Sequence, residues 1–179
     1  MIYIFLADGF EEIEAMAIVD ILRRAGLEVK TVGVTGKLIT GNHGIPVTAD
    51  ITESEAVTDG LTAVMLPGGG EGTRRLDKSE TVEKFLRYAA EKNLLIGAIC
   101  AAPSVLGHKG RLKGKNATCF PGWEQELTGA TVLPDAVVRD GNIITGKGAG
   151  VSLEFAFALV AALASPERAD KVKKDMQCQ

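Results

Sequence analysis

The chain is short of the residues that build disulfide or metal frameworks. Its three cysteines, Cys100, Cys119 and Cys178, are odd in number and widely spaced. That argues against the disulfide scaffold of a secreted protein. Two histidines, His43 and His108, leave no linear metal-ligand spacing, so no metal is expected. The longest apolar run, Phe155 to Ala164, is too short to cross a membrane and follows Glu154. Met1 to Leu6 is apolar but lacks a basic leader and meets Asp8 at once, so it reads as a strand and not a targeting segment. Basic residues cluster only at Lys171 to Lys174 and the net charge is −3, so no nucleic-acid surface is expected. These absences point to a reducing cytoplasm, with neither membrane nor nucleic acid as partner.

What is present is a steady alternation of strand and helix signals over 179 residues, read as one domain spanning 1–179. Ile2–Leu6, Val29–Val34, Ala63–Leu66 and Leu94–Ile99 are continuous apolar runs of strand length. Ala117–Phe120, Ala136–Arg139 and Asn142–Thr145 also read as strands, the last two joined at Asp140-Gly141. Gly36 to Asp50 reads as a hairpin. Ile13–Ala25 has helical spacing, with Ile13, Ala17, Ile18, Ile21 and Leu22 on one face and Gly26 as its stop. Ser79–Lys92 is an amphipathic helix capped by Ser79. Val151–Ala164 is a strongly apolar helix, and Ser165-Pro166 opens a short last one. Continuous apolar strands alternating with helices predict a mostly parallel sheet covered on both faces, a doubly wound α/β sandwich. The site is then expected at the carboxyl ends of the strands.

Three segments at such ends carry chemistry. Gly97-Ala98-Ile99-Cys100-Ala101-Ala102-Pro103 leaves a strand through small residues into a helix start. A cysteine at such an elbow is an exposed nucleophile, with helix N–H groups favouring its thiolate. A buried structural cysteine is the alternative. Glu11, Glu12 and Glu14 follow the first strand. Two of them are expected to stay solvated beside the helix N-terminus. Glu14, in the first turn, can face the strand ends and share a proton with Cys100. Leu66-Pro67-Gly68-Gly69-Gly70-Glu71-Gly72 can converge N–H groups on a phosphate or on an oxyanion, or serve only as a flexible loop. Gly141 to Gly148 resembles a phosphate loop but has Gly148 where a Ser or Thr belongs, and its interior reads as strand. His108, two helical turns past Cys100, is about 12 Å away by helix rise and is a poor base for it. Phe120 and Trp123, around Pro121-Gly122, are core or pocket wall.

Gly9-Phe10-Glu11-Glu12-Ile13-Glu14, Leu66-Pro67-Gly68-Gly69 and Ala98-Ile99-Cys100-Ala101-Ala102-Pro103 together resemble the ThiJ/PfpI superfamily, in the branch of the parkinsonism-associated deglycase and its bacterial relatives. The likeness runs over nearly the whole chain. It implies a flavodoxin-like sandwich, a homodimer, a reactive and oxidisable Cys100, and a protonated Glu14 bonded to it. It implies substrate or oxyanion contacts at Gly68, Gly69, Ala101 and Phe120, and an Arg24 that reaches the partner's site. The implied activity is a glyoxalase or deglycase acting, without an added cofactor, on small 2-oxoaldehydes or glycated substrates. A redox sensor or stress chaperone with little turnover is the alternative. Ala101 stands where the peptidase-like branch has His, against a proteolytic Cys–His pair. Phe120 stands where some relatives have His, and His43 where relatives have Arg.

Overall fold

The computed structural model describes residues 1–178. In chain order the elements are β1 (Ile2–Leu6), α1 (Glu12–Arg24), β2 (Val29–Gly33), β3 (Leu38–Thr40), β4 (Pro46–Thr48), β5 (Ile51–Thr52), β6 (Ala63–Leu66), α2 (Gly70–Lys78), α3 (Glu80–Glu91), β7 (Leu95–Ile99), α4 (Pro103–His108), β8 (Asn116–Ala117), β9 (Thr131–Val132), β10 (Val137–Asp140), β11 (Ile143–Gly146), α5 (Ser152–Leu163) and α6 (Pro166–Asp175). The main sheet runs β10-β11-β7-β6-β1-β2-β5. All its pairs are parallel except β10 with β11. The five-strand centre, β2-β1-β6-β7-β11, has the flavodoxin-like order, and the chain reverses direction across the sheet between β1 and β6.

Strand pleating divides the core. Ile2, Ile4 and Leu6 of β1 face a layer built with α1, α5 and α6. Tyr3 and Phe5 face the other layer, with α3 and α4. Tyr3, Phe5 and Phe85 meet edge-on or tilted at 5.3–6.2 Å between ring centres. Such pairs add about 0.5–1.5 kcal/mol each beyond the burial itself. The Ser79 hydroxyl accepts the Val82 N–H and starts α3 as its sequence predicts.

Three local expectations are corrected. Gly70 to Gly72, read as the end of the glycine loop Leu66 to Gly72, open helix α2, because Thr73 and Leu76 gain burial that offsets the poor propensity of Gly70 and Gly72. The strand expected over Ala117–Phe120 stops at Ala117. The Thr118 N–H goes to the Thr145 hydroxyl and the Phe120 N–H to the Cys100 carbonyl, so the segment leaves its ladder. That ladder is a separate two-stranded pairing with β9. Ile13, placed on the buried face of α1, is 61 % exposed, while Ala15, Ile18, Val19, Ile21 and Leu22 are buried. Among the described residues no helix is long and apolar enough to cross a membrane.

Candidate active site

The carboxyl ends of β1, β6 and β7 converge where the sheet changes direction. After β6, the Gly68 carbonyl accepts the Glu11 N–H and the Gly9 carbonyl accepts the Gly72 N–H. These bonds seat the glycine loop on the turn before α1. The approach is too close for side chains. A Cβ on Gly68 would lie 2.6 Å from both Cys100 Cβ and Glu14 Oε2. One on Gly69, which has φ +90°, would lie 2.2 Å from the Gly9 carbonyl oxygen. After β7, Cys100 takes φ +64°, a left-handed conformation unusual for a residue with a side chain. Its N–H donates to the Gly146 carbonyl and its carbonyl accepts from Phe120, so both sides of the elbow are tied. This is the sharp strand-end turn that the sequence predicts.

Glu14 is fully buried. Its Oε2 accepts the Gly68 N–H at 2.7 Å, and its carboxyl and the Cys100 thiol are hydrogen-bonded. Oε1 has no nitrogen or oxygen partner. Burial pushes the Glu14 carboxyl up to about 7, against the bonds from Cys100 and Gly68 that favour its charged form; the Glu11 charge adds to the rise. Burial, then the neighbouring Glu14 charge and hydrogen bond, push the Cys100 thiol up to about 12. The N–H groups of Ala101 and Gly69 act the other way by donating to the sulfur. The expectation that N–H groups of a helix start favour the thiolate is corrected, because burial and Glu14 outweigh the donors. α4 has six residues and begins at Pro103, and the donors facing the sulfur are the local ones. Across the range between the two values the pair keeps one proton. Held on Glu14, that proton leaves a thiolate, the nucleophilic form of a cysteine, with a carboxylic acid donating to it.

A cavity of about 260 Å³ opens onto Cys100, lined by Glu14, Gly69, Ala101, Phe120 and Trp123. Asn42, Glu11, Gly70 and Ala149 also line it, and no local pattern in the sequence points to Asn42. It comes from the β3–β4 hairpin, whose tip is held by the Asn42 N–H on the Phe10 carbonyl. Gly148 packs on Phe120, where a Cβ would sit 3.1 Å from the ring. Gly68 does not line the cavity. Its N–H is used by Glu14, so it seats the carboxyl instead of offering an oxyanion donor. Arg24 lies ten residues along α1 from Glu14, about 15 Å by helix rise, and pairs with Asp20. His108 is likewise away from the cavity.

Glu12 departs from expectation. It is buried, its Oε1 accepts the His43 N–H at 2.7 Å, and its Oε2 meets His43 Nδ1 at 2.9 Å. Burial opposes its charge, but these bonds outweigh it and hold the carboxyl below its ordinary range. Its carboxylate and the Glu11 charge raise the His43 imidazole. Among the described residues, Glu11, Glu12 and His43 are the one group that places metal-type ligand atoms within 4.8 Å of one another, which linear spacing did not reveal. Both oxygens of Glu12 already serve the hairpin loop.

Residues 1–162 match the DJ-1/PfpI family. The chain is 40 % identical over 157 residues to Protein DJ-1 homolog B of Arabidopsis thaliana, covering 87 % of this chain but only 36 % of that longer protein. It is 30 % identical over 168 residues to the glutathione-independent glyoxalase DJR-1.2 of Caenorhabditis elegans, covering 93 % of this chain and 89 % of the relative. The solved structure of oxidized Toxoplasma gondii DJ-1 superposes with a TM-score of 0.95 at 30 % identity, covering 98 % and 97 % of the two chains.

Proposed function

The chain belongs to the DJ-1/PfpI family, and on that premise we propose that it is a cysteine-dependent glyoxalase or deglycase acting on methylglyoxal, glyoxal or early glycation adducts. The observation that carries this is the pair of buried Glu14 and half-buried Cys100 at a small cavity, with the Gly69 and Ala101 N–H groups aimed at the sulfur. In the proposed reaction the Cys100 thiolate adds to the aldehyde carbon and forms a hemithioacetal. The Gly69 and Ala101 N–H groups stabilise its oxyanion. Glu14 takes the proton from that carbon and returns one to the neighbouring carbonyl carbon. The aldehyde carbon is oxidised to thioester as the ketone is reduced to alcohol, so electrons balance within the substrate. Water then cleaves the thioester and frees the 2-hydroxy acid. No added cofactor is needed.

A second reading is favoured by the same donors. A sulfinate formed on Cys100 would accept from Gly69, Ala101 and a protonated Glu14, which suits an oxidative-stress sensor with little turnover. We also infer a homodimer, in which the exposed Ile13 and the hairpin's Ile45 would be covered and Arg24 would reach the partner's cavity. The deciding experiment is conversion of methylglyoxal to lactate without glutathione, beside Cys100→Ala and Glu14→Gln. Turnover lost in both variants is the expected result. Absent wild-type turnover, with Cys100 readily oxidised by peroxide, would replace the glyoxalase with the sensor.

A further inference from the structure

His108 stands outside the cavity, yet three segments that line the cavity meet on its ring. The first begins at Gly69 and Gly70, runs as α2, and presents Asp77 near its end. The second begins at Cys100 and Ala101 and runs as α4 to His108 itself. The third begins at Phe120 and Trp123 and continues through the 3₁₀ turn Glu124–Glu126. Asp77 Oδ2 lies 2.8 Å from His108 Nδ1, and Glu126 Oε2 lies 2.8 Å from His108 Nε2.

Ionised carboxylates only accept hydrogen bonds. For both contacts to hold, both ring nitrogens must donate, so the ring is an imidazolium. A neutral ring keeps one donor and must give up one partner. The surrounding charges decide which. Asp77 also meets Lys109, whose Nζ donates to the Asp77 carbonyl at 2.8 Å and lies 3.4 Å from Oδ1. On the same side, Lys78 flanks Asp77, and Glu83 of α3 is paired with Arg111. Glu126 has no other cation partner among the described residues, and its neighbour Glu124 is turned onto the Gly122 N–H. Loss of the ring proton therefore releases the Glu126 arm, the one that continues into Trp123. The two carboxylates hold the His108 imidazole above its ordinary value, Glu126 contributing most.

We propose that His108 is a positioning residue for the cavity: its imidazolium pins α2, α4 and the Glu124–Glu126 turn together, and its deprotonation frees the Trp123 wall and widens access to Cys100. The proposal rests on Cys100 being the reactive group. The contact between α4 and the turn is close, since a Cβ on Gly107 would lie 2.2 Å from the Glu126 carbonyl oxygen.

The test compares alkylation of Cys100 by iodoacetamide and by a bulky maleimide across pH, read at the Cys100 peptide by mass spectrometry. Both reagents need the thiolate, so the ratio of their rates cancels its ionisation and reports access. His43 is replaced by His43→Gln throughout, to remove the other imidazole, and the His108 ring is followed by NMR. The expected result is a maleimide-to-iodoacetamide ratio that rises at least twofold at the His108 midpoint. In His108→Gln the ratio should be high and flat. In Glu126→Gln, which keeps the Asp77 arm and guards against misfolding of the first variant, the midpoint should fall and the ratio again be flat. A ratio that stays level through the wild-type midpoint, or a Glu126→Gln response like that of wild type, overturns the pin. If Cys100 takes neither reagent, the reactive-cysteine reading fails separately. The pin is then judged by fluorescence of Trp123, the sole tryptophan. A step at the His108 midpoint that Glu126→Gln abolishes supports it, and no step overturns it.

Discussion

Glu12 and Glu14 stand two residues apart in the first turn of α1, both buried, and their carboxyls are driven in opposite directions. Glu12 faces the β3–β4 hairpin, where two N–H groups and the His43 ring receive it. Glu14 faces the strand ends, where one N–H and a thiol are all it meets. Burial raises both, and the number and charge of the donors decide whether it prevails. One carboxylate is thereby structural, the other an acid poised near neutrality.

The sharpest way to break this contrast is to remove each charge in turn. Glu14→Gln is expected to lower methylglyoxal turnover by roughly 10²–10⁴-fold, the usual worth of a placed acid–base group. Glu12→Gln should leave turnover within a few-fold and cost about 1 kcal/mol in urea unfolding. Equal effects on turnover would erase the distinction. Gly68→Ala attacks the one N–H that seats Glu14, by forcing a Cβ against both Glu14 and Cys100. A destabilisation of about 2–4 kcal/mol is expected, with slower alkylation of Cys100.

The two carboxyls also have opposite signatures in stability against pH. Glu14 binds its proton more tightly folded than unfolded, so its contribution is intact below the ordinary value of 4.5 and declines as pH rises to about 7. That decline is about 3 kcal/mol at most. Glu12 binds its proton less tightly folded, so its contribution is present above 4.5 and is lost in acid. Glu14→Gln should flatten the slope between 4.5 and 7, and Glu12→Gln the slope below it. A shared slope in both variants would contradict the assignment. The smallest effect belongs to Arg24→Ala. Its exposed pair with Asp20 is worth under about 0.5 kcal/mol. A clear loss of turnover with no loss of stability is the result expected if Arg24 serves the partner's cavity.

The strands of the central sheet were readable because a buried parallel strand is apolar along its whole length. The elbow was readable because an apolar run broke into small residues around Cys100. α2 was hidden, since Gly70 and Gly72 speak against a helix and only packing on Phe10 and the core overrules them. The fate of Glu12 was hidden too. A glutamate at a helix start is normally solvated, and what buries this one is a hairpin about 30 residues away in the chain. Asn42 reaches the cavity by the same long-range route, with no local pattern to announce it.

Cys100 holds a left-handed backbone that a β-carbon disfavours. A screen for thermostability alone would therefore drift toward glycine at position 100, and Cys100→Gly should melt higher than Cys100→Ala by several degrees. The most stable version of this fold would be one without the proposed nucleophile.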